Sequence, residues 1–204
     1  MKLTLPELDI RSLARFEPRR DWFCRPPAGI HGIEHETRVL VLSQILGAME
    51  SAAGAIVDRD AIAWAAVIHD TQRLDDSLDP EHGVRAAEWI QTNSDVLPRS
   101  TLVEPVAYIC RWHASPDNQV PQLRSDLRVL KGADALDRWR IGDLDPTYLR
   151  TESSRLLLSF SRCLWSETQG VGRQKDAFHR VLAAGQRLCR EWSAGEAPAV
   201  IDAG

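Results

Sequence analysis

Apolar residues recur at intervals of three and four along most of the chain, the period of helices that bury one face. The clearest stretch runs from about His31 to Ala53, where Val39, Leu42, Ile45, Leu46 and Met49 fall at helical spacing. A shorter helix is expected over Ala61 to Asp70. It is apolar without interruption from Ala61 to Ile68, with Asp58 or Asp60 placed to cap its start. Pro80 suits the first turn of a further helix reaching Gln91, and Glu81 stands near its positive end. The same periodicity predicts helices over Ser100–His113, Leu123–Trp139, Thr151–Trp165 and Gln174–Trp192, and a weak first one over Pro6–Phe16. The segment Pro18 to Gly32, with three prolines, reads as a loop. So do Thr71 to Asp79 and the polar run ASPDNQVPQ after His113, while the tail from Ser193 reads as frayed. Asn-Gly and Asp-Gly turns are missing, and so is sustained alternation, which leaves no strand signal. The pattern predicts an all-α fold as one domain over residues 1–204. Its core would cover about 31–146, with C-terminal helices over about 151–192 packed against it.

Composition narrows the class. Of 204 residues, 44% are hydrophobic and 26% charged, which excludes wholesale disorder. The net charge of −4 disfavours a nucleic-acid binder working by phosphate neutralisation. The longest purely apolar run, Ala61 to Ile68, is far short of a membrane span. Acids and arginines occupy the region where a signal peptide would be apolar, so a cytoplasmic location is expected. Cys24, Cys110, Cys163 and Cys189 form no C-x-x-C pair and read as buried free thiols.

A lone His-Asp dipeptide says little in a chain with 6 His and 29 acidic residues. The setting of His69-Asp70 says more, because it closes the most apolar run in the chain, where a buried charged pair needs compensation. Five of the six histidines, His31, His35, His69, His82 and His113, fall in the first 113 residues, each at a helix end or beside an acid. Asp134 lies in the apolar segment VLKGADALDRW. Imidazole and carboxylate without thiolate suit Mn, Fe, Co, Ni, Zn or Mg, and ligands on separate helices facing one interior are how helical proteins build such centres. Around this set, Arg73 can leave the same helix end as Asp70 toward a phosphate, or pair with Asp75 or Asp76 in solvent. Asp76 is a candidate for proton transfer. His31 and Lys131 are candidate substrate contacts. His82, in a first helical turn, is expected neutral and metal-competent, and His113, at a helix C-terminus, charged and suited to phosphate. Asp137 reads as a surface partner of Arg138 or Arg140, and His179 as structural. Trp64, Trp89, Trp139 and Trp165 read as core, whereas Trp112 is placed to floor a base pocket.

The order His35, His69-Asp70, Asp134 resembles the HD superfamily of metal-dependent phosphohydrolases. The strings HGIEHETRV, AAVIHDTQR and ADALDR resemble its first-helix, HD and distal Asp motifs. DPEHGVRAAEWI and RIGDLDP are similar to a group of small bacterial HD-domain proteins. The resemblance covers about His31 to Pro146 and departs from that group at Glu36, Gly132 and Ala135. It implies a helical HD-type fold around a buried divalent metal site. His35, His69, Asp70 and Asp134 would be ligands, and His82 and His113 either a second metal site or substrate contacts. One or two ions would be held. The expected activity is hydrolysis of a phosphate ester of a nucleotide or similar small metabolite, with Asp70, Arg73, Asp76 and His113 as catalytic residues and Arg73, His113, His31 and Lys131 on the substrate. A homodimer is compatible with this reading; membrane and nucleic-acid partners are not expected. An HD-fold di-iron oxygenase, a single-strand nuclease and a non-catalytic ligand sensor are the alternatives.

Overall fold

The computed structural model describes residues 3–196, and among them every regular element is helical. α1 is Ile10–Leu13, α2 Ile33–Ala52, α3 Arg59–Ala66, α4 His82–Thr92 and α5 Val103–Trp112. α6 is Ser125–Leu136, α7 Glu152–Leu156, α8 Leu158–Thr168 and α9 Ala177–Ala194. No described helix is long and apolar enough to cross a membrane.

α2 is the axis. Its side chains are buried without a break from His35 to Gly47, polar ones included, because α3, α6, α8 and α9 surround it. α4 and α5 pair on the far side of α3. Two glycines permit the closest approaches. A Cβ at Gly185 would sit 2.7 Å from Val41 Cγ1, so α9 lies directly on α2; a Cβ at Gly83 would sit 2.6 Å from Cys110 O, so α4 lies directly on α5. The buried apolar cluster runs from Leu5 to Cys189, and Cys110, Cys163 and Cys189 lie within it. Cys24 is the exception to the expected burial: its loop places it on the surface, with Sγ 3.3 Å from Gln72 Oε1.

Several boundaries differ from the sequence expectation, each for a local reason. The first helix shrinks to one turn capped by Asp9, followed by a 3-10 turn over Ala14–Phe16. Asp58, not Asp60, caps α3, accepting from Ala61 N at 2.9 Å. α3 stops at Ala66 rather than Asp70, and residues 67–72 continue as successive turns. α6 ends at Leu136 and tightens into a 3-10 segment, Asp137–Ile141, which Gly142 closes at φ +70°. The helix expected over Thr151–Trp165 is two, α7 with a Thr151–Ser154 capping box and α8, interrupted at Leu157. Ser193 and Ala194 belong to α9, which Gly195 ends in a left-handed cap; residues 197–204 of the expected frayed tail lie outside the described residues.

Candidate metal centre

The turns after α3 deliver His69 and Asp70 to the middle of the molecule. There they meet His31 and His35 at the start of α2, His82 at the start of α4, His113 at the end of α5 and Asp134 in the last turn of α6. His35 and His69 are fully buried, and His31, Asp70, His82 and His113 are at most 9% exposed. His35 Nε2 lies 3.5 Å from Asp70 Oδ2 and 3.6 Å from Asp134 Oδ1. His82 Nε2 is 2.9 Å, and His113 Nε2 3.6 Å, from Asp70 Oδ1. Donors bound at about 2.1 Å to one ion stand roughly 3.0–3.5 Å apart, so these separations suit shared coordination.

The outer nitrogens decide how the four rings are oriented. His35 Nδ1 faces Asp137 Oδ2 (2.8 Å), His69 Nδ1 faces Ala66 O (3.0 Å), His113 Nδ1 faces Cys110 O (2.7 Å), and His82 Nδ1 bonds Asp79 O. A carboxylate or carbonyl only accepts, so each Nδ1 carries the proton. In the neutral ring each Nε2 is then bare and points inward. His35 Nε2 and His69 Nε2 are buried without a hydrogen-bond partner. His82 Nε2 and His113 Nε2 face each other at 2.8 Å, a separation that one shared proton or one shared ion bridges. The donor set therefore fits a divalent ion of the nitrogen- and oxygen-binding kind. His31 differs: its Nδ1 is 2.6 Å from Asp70 Oδ2 and its Nε2 3.2 Å from Asp76 O. Its Nδ1 also lies 3.4 Å from Arg140 Nη2, and with His35 and Asp70 it forms a group spaced to hold an ion, so it contacts Asp70 and is itself a candidate donor.

Electrostatics show where positive charge is favoured. Burial opposes the charge on His69, but the Glu36 and Asp70 carboxylates overcome it and push the imidazole up to about 10. Burial raises the Asp70 carboxyl, yet the surrounding imidazoles of His69, His113, His31 and His35 hold it well below its ordinary value. Asp134 is likewise lowered against burial, by Arg140, His35 and His69. The cluster thus demands positive charge at its centre. The expectation of a charged His113 is not met. Burial drives this imidazole down to about 4, outweighing the nearby Asp70 carboxylate.

Asp70, Asp134, His31, His82 and His113 open onto a cleft of about 720 Å³. Arg73, Lys131, Arg138, Arg140 and Arg150 also line it, with Tyr148 as its aromatic residue. Arg73 is buried, not solvated. Its Nη1 lies 3.4 Å from Asp70 Oδ1 and 3.3 Å from both His82 nitrogens, while Nε and Nη2 donate to the carbonyls of Asp75 and Ser77. Asp76 lines the cleft with its carboxylate 3.0 Å from Arg25 Nη2. Lys131 turns its ammonium to Ser115 O and Asp117 Oδ1, and Arg150 Nε meets Asp117 Oδ2 at 2.7 Å. Trp112 is not on the cleft but packs against the core. His179 lies at the surface, 3.8 Å from Glu17.

Sequence reasoning missed Glu36, Arg38, Asp137 and Arg140. Asp137 is a correction in place, not in partner: Arg140 Nη1 stands 3.7 Å from its Oδ2 as expected, but it is 1% exposed rather than at the surface and is also bonded to Arg38 and His35, because the chain leaving α6 turns it inward beside α2. Arg140 reaches back with Nη2 3.8 Å from Asp134 Oδ1 and Nε donating to Ile30 O. The available signal was charge at helical spacing inside apolar runs, Glu36 and Arg38 in α2 and Asp137 three residues after Asp134. The chain matches no protein-family model, no curated protein and no solved structure.

Proposed function

We propose that the chain is a metal-dependent phosphohydrolase of the HD type, cleaving a phosphate ester of a nucleotide or similar small metabolite. The observation that carries this reading is the convergence of four Nε2 nitrogens on Asp70 and Asp134 at the floor of a cleft lined by arginines. His35, His69, Asp70 and Asp134 would hold one ion, and His82 and His113, sharing Asp70, a second. A bound divalent ion supplies hydroxide at neutral pH by lowering the pKa of its water, and draws charge from a phosphoryl oxygen.

The protein supplies the rest. Arg140, beside Asp134, and Arg138 on the cleft wall would hold non-bridging phosphate oxygens, the task for which a planar guanidinium is suited. Arg73 holds the 73–79 loop over Asp70 through its bonds to the carbonyls of Asp75 and Ser77. That loop presents Asp76 at the cleft, where its carboxylate, ion-paired with Arg25, would act as a base and take up the proton of the attacking water. Burial of the donors excludes bulk water and strengthens each of these contacts.

The test is elemental analysis of the purified protein followed by phosphate release from a panel of nucleotides and phosphorylated metabolites with each divalent metal. Release that depends on metal and is lost in Asp70→Ala is expected; no release from any substrate with any metal refutes the reading. A second reading shares the geometry. His82 and His113 complete six inward donors, the number a di-iron oxygenase of this fold requires, and iron-dependent oxygen consumption would identify it.

A further inference from the structure

We propose that Glu36 and Asp137 are crossed positioning residues of the metal centre. Each neighbours a ligand on its own segment and braces the ligating imidazole of another. The inference rests on the metal-centre reading above and deepens it.

Asp137 follows Asp134 by three residues at the end of α6, yet its carboxylate serves α2. Its Oδ2 accepts from His35 Nδ1 at 2.8 Å. Arg38, one turn beyond His35, fixes that carboxylate with Nε on Oδ1 at 2.5 Å and Nη2 on Oδ2 at 3.2 Å. Glu34 Oε1 in turn holds Arg38 Nη1 at 2.6 Å. Glu36 follows His35 directly on α2, yet it serves the turns after α3. Its Oε1 accepts from Asp70 N at 3.2 Å, and its Oε2 stands 2.9 Å from His69 Nδ1. The His69 Nδ1–H bonds Ala66 O, so Glu36 Oε2 meets the ring as a charge 2.9 Å away and is itself buried without a hydrogen-bond partner.

Burial makes a purely architectural role expensive. Glu36 is fully buried and Asp137 1% exposed. Within 4 Å Glu36 meets no Arg or Lys among the described residues; its one basic partner is His69. A buried carboxylate set against an imidazole alone is poorly compensated unless that ring takes on positive charge. Ligation of Nε2 to an ion does this, because it draws electron density from the ring and leaves the Nδ1 edge that faces the carboxylate more positive. Such carboxylate–imidazole–metal chains fix ring orientation and raise ligand basicity. The crossing adds rigidity. α2 lends a brace to the turn that carries His69-Asp70, and the end of α6 lends one to α2. No ligand-bearing segment can then rotate without breaking a brace on another.

The experiment compares wild type, Glu36→Gln and Asp137→Asn, each stripped with chelator, by calorimetric titration with Mn²⁺ alone. Both substitutions keep shape and remove charge. Each variant is expected to bind Mn²⁺ about 10- to 100-fold more weakly than wild type. Asp117→Asn, a charge loss behind the cleft residues Lys131 and Arg150, is expected to bind within about twofold of wild type. If wild type binds and both brace variants match it, the crossed bracing is wrong and the metal centre stands. If wild type binds no Mn²⁺, the metal centre falls and the bracing with it. Should a variant fail to fold, long-range proton–nitrogen spectra of the Zn²⁺-loaded wild-type protein, labelled at histidine nitrogens, decide the matter. His35 and His69 are expected to carry the proton on Nδ1 with Nε2 metal-bound; a proton on Nε2 of either ring overturns the proposal.

Discussion

Replacing Gly83 by alanine tests how the approach of α4 to α5 builds the His82–His113 pair. A Cβ at this position would lie 2.6 Å from Cys110 O, 3.1 Å from Arg111 O and 3.2 Å from His113 Cε1. Two of these neighbours are backbone carbonyls of α5, which cannot rotate away. The start of α4 must therefore retreat by roughly 0.8 Å to reach ordinary contact. Overpacking of this kind costs about 1–3 kcal/mol, and the better helix propensity of alanine offsets at most about 1 kcal/mol of it. A net loss of about 1–2 kcal/mol lowers the melting temperature of a chain this size by about 2–8 °C. The damage falls on the candidate metal centre as well. Cys110 O, the atom most crowded, is the acceptor that orients His113 Nδ1, and His82 moves with its neighbour away from a 2.8 Å contact with His113 Nε2. Circular-dichroism melts in chelator measure the stability loss, and Mn²⁺ titration measures the weakened binding. A variant that melts at or above the wild-type temperature and binds Mn²⁺ as tightly would refute the packing argument.

Arg140→Ala should leave metal content unchanged and lower kcat/KM on a phosphate ester by roughly 10²-fold, since it removes one donor to developing charge; an unchanged kcat/KM excludes Arg140 from the phosphate. His82→Ala should weaken Mn²⁺ binding more than His113→Ala, because His82 Nε2 lies 2.9 Å from the shared Asp70 Oδ1 and His113 Nε2 3.6 Å; titration calorimetry giving the reverse ranking would contradict it. Arg150 and Lys131 hold the Asp117 carboxyl down at about 2. A carboxyl lowered on folding stabilises above its unfolded pKa of about 4 and loses that contribution as pH falls toward 2. The stability gap between wild type and Asp117→Asn in urea melts should therefore be full at pH 6 and shrink below about pH 4; a gap that widens on acidification would be inconsistent with this.

Which helices form was legible because their apolar period is strong: α2, α4, α5 and α9 lie where the spacing of residues such as Val39, Leu42, Ile45 and Leu46 puts them. Their ends were less so. Ala66, Leu136 and Leu157 end or interrupt helices through tertiary contacts and local 3-10 tightening, which leave no capping residue to read. The inward donors were visible as histidines at helix ends beside acids. The braces were not, because Glu36 and Asp137 look like the solvated face of a helix until α6 is seen to lie on α2. His113 shows the limit of arguing from a helix dipole alone, since burial reversed the expected charge.

The central claim is that His35, His69, Asp70 and Asp134 form a metal centre in the folded chain. Its most direct test is the melting temperature in chelator against that in Mn²⁺ at about a hundredfold over the dissociation constant, for wild type and Asp70→Ala. Binding to the native state alone stabilises it by about 2.7 kcal/mol at that excess, which corresponds to a rise of roughly 5–10 °C. The account predicts that rise in wild type and its loss in Asp70→Ala. Equal melting temperatures of wild type in chelator and in Mn²⁺ would contradict it.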